Sequence, residues 1–450
     1  MLKNNIVLKG VLIFIISLSF FSLHSIAQES NLNDNKLNIG IQLRPRLEYR
    51  EGAFRPLNDG EKPAALISER ARLTFDYTYK DLLSVKVSPQ SVGIWGQENM
   101  VQGAETGGSH FSLFEAWAKL KLSNHWNVQF GRQVISLDDE RFFGALDWAQ
   151  GGRAHDAVSV HFQKDKFKVS GFFGFNQNYK SLYGNNLSNP TGNFYATNDA
   201  YPYKWMQTVW ASMPVGKTNS LTFLLNNVGL QNFTLPTRDS TIYFMQSLGT
   251  NFFFKQKKVN GNLSAFYQLG DNSSGTTTQA YLLAVYGGYQ INKKWNVGIG
   301  SDWLSGNDVG SGQSKNKAFN PLFHTGHKFY GNMDYYYSGS GHKNAGLSDS
   351  YLKVNGKTSS TTNINIVLHQ FMSTGEIYDG VKKYNQNLGQ EVDLSVSHQI
   401  NKFANLTAGY SFYLTTSTIN FLKSVPDARD YQQWAWVAIN ITPAFFINNH

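Results

Sequence analysis

The chain has 450 residues, a formal charge of +9, 32 Phe, 23 Tyr and 10 Trp, only 16% charged side chains and no cysteine. A helical membrane protein is excluded, because spans of roughly 18 or more apolar residues do not occur after the first thirty positions. So much aromatic surface also excludes disorder, and the missing cysteines and repeats exclude disulfide or zinc scaffolds, collagen and coiled coils.

Lys3 and Lys9, the apolar stretch Val11 to Leu23 and the small-residue site Ser25-Ile26-Ala27 predict an export signal over residues 1–27. Its apolar part is too short to span a bilayer. Removal leaves 38 basic and 31 acidic side chains, a net charge of +7 over 28–450. An exported chain without cysteine has no disulfides, so backbone hydrogen bonding must hold the fold.

Strand alternation begins at once. From Ile39, the residues Ile41, Leu43, Pro45, Leu47 and Tyr49 share one face, and Gln42, Arg44, Arg46, Glu48 and Arg50 the other. Ala71, Leu73, Phe75, Tyr77 and Tyr79 then oppose Arg70, Arg72, Thr74, Asp76 and Thr78. The same period recurs at Leu263 to Leu269 and at Val392 to Ile400, whose polar partners include Glu391 and Asp393. Alternation over about ten residues is the mark of a barrel strand with one face in lipid and one in the lumen. Strands are predicted to start near 37, 66, 82, 109, 125, 155, 166, 203, 218, 242, 259, 277, 294, 346, 361, 389, 403 and 431.

Connections alternate between short turns, such as Lys80-Asp81 and Asn401-Lys402, and long loops at 51–65, 93–108, 136–154, 178–202, 271–276, 306–345, 374–388 and 416–430. Short turns on the periplasmic side and longer loops outside are the barrel pattern. Lys328 to Ser338 stays within loop 306–345, since a nineteenth strand would break the even parity of such barrels. The fold class is therefore all-β: one transmembrane antiparallel barrel of 18 strands over 28–450, surrounded by the lipid of a Gram-negative outer membrane. Its insertion would rest on the barrel assembly machinery. Eighteen strands enclose a lumen wide enough for water.

Nine of eleven arginines lie between Arg44 and Arg153. Arg44, Arg46, Arg50, Arg70 and Arg72 take the inward parity of neighbouring strands, beside Lys86 and then Lys119 and Lys121. Such a wall would concentrate anions and hold carboxylates bidentately. Equally, Glu48, Glu69, Asp76 and Glu115 would turn it into a neutral, stiffening ladder; both readings stay open, with a positive surplus in either. Arg132, Arg141 and Arg153 are counted with the same pore-lining, anion-binding set. Arg132 has the outward parity of Val128 and Phe130, so it needs a bulge or a place at the rim.

The segment Asp138-Asp139-Glu140 with His155 could suggest a hydrolase or cation site, but successive residues on an extended chain point in opposite directions. No catalytic residue is assigned. Gly131-Arg132-Gln133, Asp139-Glu140-Arg141-Phe142-Phe143-Gly144, Trp148 and Arg153-Ala154-His155-Asp156-Ala157, with a second block from Phe319 to Asp334, resemble the alginate export family of outer-membrane β-barrels. That resemblance implies an 18-stranded barrel with an arginine- and lysine-lined pore passing anionic polyuronate. The short periplasmic turns here depart from the gating expected of such exporters, and widen the substrate class to anionic solutes or oligosaccharides.

His324 and His327 have a spacing that suits a metal only on a helix, and Pro321, Gly326 and Gly331 oppose one, so no metal or other cofactor is expected. They are read instead, with Phe329 and Tyr330, as gating-loop residues of a segment that folds over or into the pore. Trp126, Trp205, Trp295, Trp434 and Tyr79 read as interfacial girdle rather than sugar platforms. No phosphate loop, dinucleotide fingerprint or nucleophile elbow fits, and neither an enzyme nor a nucleic-acid partner is expected. The leading function is an outer-membrane channel for anions; the alternative is a non-conducting surface barrel acting as adhesin or scaffold.

Overall fold

The structure, a computed structural model, describes residues 35–52, 54–96, 110–176, 203–231, 242–338 and 341–448. The predicted export signal and most of loops 93–108 and 178–202 lie outside these residues.

Each sequence-predicted strand is present, with its start within three residues of the expected position. In chain order they are β1 (Asn35–Arg50), β2 (Ala64–Tyr79), β3 (Leu83–Ile94), β4 (His110–Lys121), β5 (Trp126–Gln133), β6 (His155–Lys164), β7 (Phe167–Phe175), β8 (Tyr203–Val215) and β9 (Asn219–Gln231). The second half comprises β10 (Ile242–Gln256), β11 (Val259–Asp271), β12 (Thr277–Gln290), β13 (Trp295–Leu304), β14 (Leu347–Lys357), β15 (Thr362–Met372), β16 (Asn387–Asn401), β17 (Ala404–Thr415) and β18. The last stave is broken by Thr442-Pro443 into Tyr431–Ile441 and Ala444–Asn448, and both pieces pair with β1. Proline cannot donate to a ladder, but its carbonyl still accepts from the Ile41 N–H at 3.0 Å. Every stave pairs antiparallel with its sequence neighbours, and β1 closes the ring against β18.

Closure removes both sheet edges, which lipid would not tolerate. Outward parity carries Leu47, Leu248, Leu263, Tyr267, Leu283 and Val437, all more than a third exposed. Such a continuous apolar surface belongs in hydrocarbon. Inward parity carries Asn226, Ser247, Asn251, Gln268 and Thr278, all buried. At Ser88/Pro89 the register between β3 and β4 shifts, and this bulge turns Phe114 inward, where it is buried.

The buried apolar cluster lies inside the barrel. Phe142 and Phe143 from the β5–β6 loop meet Phe319, Phe323, Tyr330, Tyr335 and Tyr336 from the β13–β14 loop, against Phe172, Met206, Phe266 and Trp434 of the wall. The Lys328 to Ser338 segment holds no strand, in keeping with its place in the loop. A short helix, α1 (Ser417–Leu422), is capped by Thr416, whose side chain accepts from the Ile419 N–H at 3.3 Å.

Replacing Leu283, midway along β12 and facing lipid, by Arg is expected to destabilise the barrel by about 2–4 kcal/mol. Urea unfolding in lipid vesicles, followed by circular dichroism, measures this; an unchanged midpoint would mean that this face is not in hydrocarbon.

Candidate pore constriction

Two outer loops fold into the lumen. The β5–β6 loop, residues 134–154, runs around the inside of the wall like a collar. It first reaches β8–β10, where Asp138, in the left-handed region at φ 54°, accepts from the Trp210 indole at 3.1 Å and the Asn251 amide at 2.9 Å. Arg141, buried, then crosses to β13, donating to Asp302 at 2.5 Å and lying 3.0 Å from Asp139. Its guanidinium also sits 4.3 Å over the Phe329 ring.

The far end of the collar docks on the arginines. Arg70, wholly buried, donates to Asp147 at 2.8 Å. Arg44 donates to the Gln150 side chain at 3.0 Å and to the carbonyls of Trp148 and Ala149 at 3.3 and 3.2 Å. Arg46 donates to the Trp148 carbonyl at 2.8 Å and stacks 4.1 Å over its indole. Gln90 of β3 donates to the Gly151 carbonyl at 2.9 Å. Backbone carbonyls that would otherwise be orphaned in the lumen thus find charged donors, a stronger bond than a neutral one.

The β13–β14 loop, residues 305–346, is held by the opposite chemistry. Glu391 accepts from the Met333 N–H at 2.7 Å and Asp393 from the Asn332 N–H at 3.2 Å. Gly331 permits this approach: at φ 84°, a Cβ there would lie 2.3 Å from the Glu391 carboxylate. His369 stands between Asp349, 2.9 Å away, and Asp393, at 3.5 Å. A carboxylate wall on β13–β16 therefore complements the arginine wall on β1–β2, and Arg50 joins them by donating to the Met333 carbonyl at 2.7 Å.

The loops also grip each other. The Gly144 N–H donates to Phe323 at 2.8 Å, the Thr325 N–H to Glu140 at 3.1 Å, and Arg153 to the His324 carbonyl at 2.8 Å. Trp148 stacks on His327 with centroids 4.0 Å apart and planes 13° apart. Below this ceiling lies a cavity of about 910 Å³, whose lining includes Arg141, Trp148, Lys353 and, from the short turns, Lys257, Lys294 and Lys357.

Arg44, Arg46, Arg50, Arg70 and Arg72 all stand on the inward face. Arg72 bonds Gln90 at 2.8 Å and lies 3.5 Å from the Phe114 centroid. Lys86 pairs with Glu115 at 3.3 Å, Glu48 with Arg46 at 2.8 Å, and Asp76 pairs in register with Lys86. Lys119 lies 6.0 Å from the Trp117 ring; Lys121 is at the short-turn rim, paired with Asp81.

Two expectations need correction. Arg132 is not in the pore. It keeps its outward parity and pairs with Asp156 at 2.9 Å; Gly131, at φ 115°, bends the strand beneath it. Glu69 also faces outward, accepting from Trp95 at 3.1 Å, and so balances no lumen arginine.

His324, Tyr330 and Phe329 sit within the inward loop. Burial and the neighbouring Arg153 hold the His324 imidazole neutral, with its pKa lowered to about 3. His327 has its Nδ1 3.0 Å from Asp334. Among the described residues, no cluster of acids and histidines could hold a metal ion. Sequence parity exposed Glu391 and Asp393 as lumen residues, but not that they receive loop amides. It gave no sign of Asp302, because its partner Arg141 is 161 positions away.

This geometry defines a porin-like outer-membrane β-barrel. Crystal structures share the fold: outer-membrane protein OpdK of Pseudomonas aeruginosa, solved with vanillate, is 9% identical, covers 92% of this chain and 100% of its own, and superposes with a TM-score of 0.59. OccAB2 of Acinetobacter baumannii is 12% identical, with coverages of 93% and 100% and a TM-score of 0.61. The alginate export family matches residues 35–174, the part that holds the arginine wall and the collar. No curated protein matches the sequence.

Burial outweighs the neutral donors around Asp138 and raises its pKa to about 6, and Asp139 beside it adds to the rise. The docked collar therefore favours the protonated acid. Its docking weakens as pH rises from the ordinary aspartate range through about 6, by on the order of 3 kcal/mol in all. Flicker in single-channel records should increase between about pH 4 and pH 6, from the ordinary aspartate pKa to the raised one, and become flat in Asp138→Asn. An unaltered pH profile in that variant would remove Asp138 from the docking.

Proposed function

We propose that the barrel is a channel for anionic solutes, which enter the lysine-lined vestibule and pass the collar when its clasp with the β13–β14 loop loosens. The observation that carries this reading is the distribution of accessible charge. Asp302, Asp349, Glu391 and Asp393 are buried and engaged by Arg141, His369 and loop amides. The vestibule lysines are at the surface of the cavity. On the β1–β2 wall, five arginines face three acids, Glu48 and Asp76 of the wall and Asp147 of the collar. Bonding to backbone carbonyls satisfies those arginines without cancelling their charge, so a positive potential remains along the path. A polyuronate such as alginate is one member of this anion class, supported by the family match over residues 35–174.

Reversal potentials in planar bilayers at low salt, where screening is weak, should show anion preference. Replacing Lys257, Lys294 and Lys357 together by Gln should move them toward cation preference. A wild-type preference for cations, or an unmoved triple variant, overturns the anion reading, and absence of any conductance favours a scaffold barrel.

Replacing residues 310–340 by a short Gly-Ser linker removes the clasp partner of the collar. The barrel should remain folded, as judged by its heat-modifiable gel shift, with conductance raised severalfold. Unchanged conductance in the folded variant would place this loop outside the conducting path.

A further inference from the structure

The wall beneath the constriction carries an aromatic floor. Tyr286 of β12 and Tyr351 of β14 are both in register with Gly300 of β13, which stands between them. Gly298 shares the inward face of Gly300 two residues earlier, so β13 offers two adjoining places without a side chain. The tyrosine rings occupy them: a Cβ on Gly298 would lie 2.4 Å from the Tyr286 hydroxyl, and one on Gly300 would lie 2.4 Å from the Tyr351 ring. Ring centroids are 6.3 Å apart and the planes differ by 15°. Two nearly coplanar rings therefore lie side by side against the β13 backbone, and both line the cavity of about 910 Å³. The Tyr351 hydroxyl accepts from Arg141, which places this floor directly below the collar.

The next two rows of the wall add charge and amides. Lys353 is in register with Gly298. Among the described residues no carboxylate pairs with Lys353, and its charged neighbour is Lys328, a second cation that itself pairs with Glu140 at 3.4 Å. Acids lining the same cavity are engaged elsewhere: Asp139 and Asp302 by Arg141, Asp349 and Asp393 by His369. One row further toward the short turns, Asn296, Asn355 and Asn365 pair in register across β13, β14 and β15, and they line the cavity too. Flat rings take apolar surface, an ammonium takes a carboxylate, and amides both donate to and accept from hydroxyls. A pyranose that bears a carboxylate presents all three partners, namely a C–H face, a hydroxyl rim and an anion.

We propose that Tyr286, Tyr351 and Lys353 form a subsite for one carboxylated pyranose, which lies face-down on the two tyrosine rings with its carboxylate on the Lys353 ammonium. The subsite rests on the anion-channel reading, whose vestibule it divides, and adds that a solute is selected by its ring as well as by its charge before it meets the constriction.

The test uses the full barrel in planar bilayers, with D-glucuronate as the probe and acetate, benzoate and D-glucose as comparisons. Glucuronate should interrupt the single-channel chloride current at a concentration roughly tenfold below that needed for each of the others. Tyr286→Leu should raise the half-blocking concentration roughly threefold to tenfold, and Lys353→Gln by roughly tenfold or more. Tyr286→Phe and Lys353→Arg, which keep the ring and the charge, should keep the block; the heat-modifiable gel shift checks folding of all four. Equal block by acetate, by glucose or by benzoate would overturn the subsite, as would an unchanged block in folded Tyr286→Leu. Calorimetric titration of glucuronate into the detergent-folded barrel separates the two readings. Binding that is lost in Lys353→Gln supports the subsite even in a barrel that does not conduct, whereas an anion-selective channel that binds no glucuronate keeps the channel reading and loses the subsite.

Discussion

The constraint on which the molecule depends is that no backbone N–H or carbonyl can be left unpaired in hydrocarbon, where each costs several kcal/mol. A closed antiparallel ladder satisfies it, and the seam between β1 and β18 shows how strict it is. There Pro443 removes one donor, but the stave resumes at Ala444 and its carbonyl still binds Ile41. Closure fixes parity, because a slip of one residue would exchange every lipid-facing Leu or Tyr with a lumen-facing Arg, Asn or Ser. The apolar belt and the polar lumen follow from that single condition.

A lumen this wide creates a second accounting problem, since loops entering it bring their own backbone groups. The solution uses the two peptide dipoles separately. Arginines on β1 and β2 collect the carbonyls of the collar, and carboxylates on β16 collect the amides of the β13–β14 loop. Nearby sectors of the wall, with β17 and β18 between them, therefore hold opposite ends of the peptide group, and Arg50, reaching the Met333 carbonyl, ties the two systems together. The arginines proposed to attract anions also hold the constriction, so on that proposal substitutions on the β1–β2 wall change selectivity and gating together.

The aromatic clasp has a different physical basis. Phe143 and Phe323 meet at 4.9 Å and Trp148 lies on His327. These are dispersion and stacking contacts that weaken little in salt, whereas Arg44, Arg70 and Arg141 hold the collar through ionised partners, Asp147 and Asp302, whose attraction salt screens. Orphaned polar atoms at His324, Tyr330 and Tyr337 show that the interior of the clasp favours ring packing over hydrogen bonding.

The sequence by itself determined the staves, their parity and the even strand count, because a period of two is a local property and lipid admits few exceptions to it. It also placed the five β1–β2 arginines in the lumen, and the match over residues 35–174 agrees with the family resemblance read from its motifs. What those arginines bind was decided only by tertiary structure: Arg44 and Gln150 are 106 positions apart, and Arg50 and Met333 are 283 apart. Arg132 was ambiguous for a local reason, since its outward parity conflicted with its charge until Asp156 of the neighbouring strand supplied a partner. Loop paths across a lumen are set by long-range pairings that leave no periodicity, and so the constriction, unlike the barrel, could be seen only once the chain was folded.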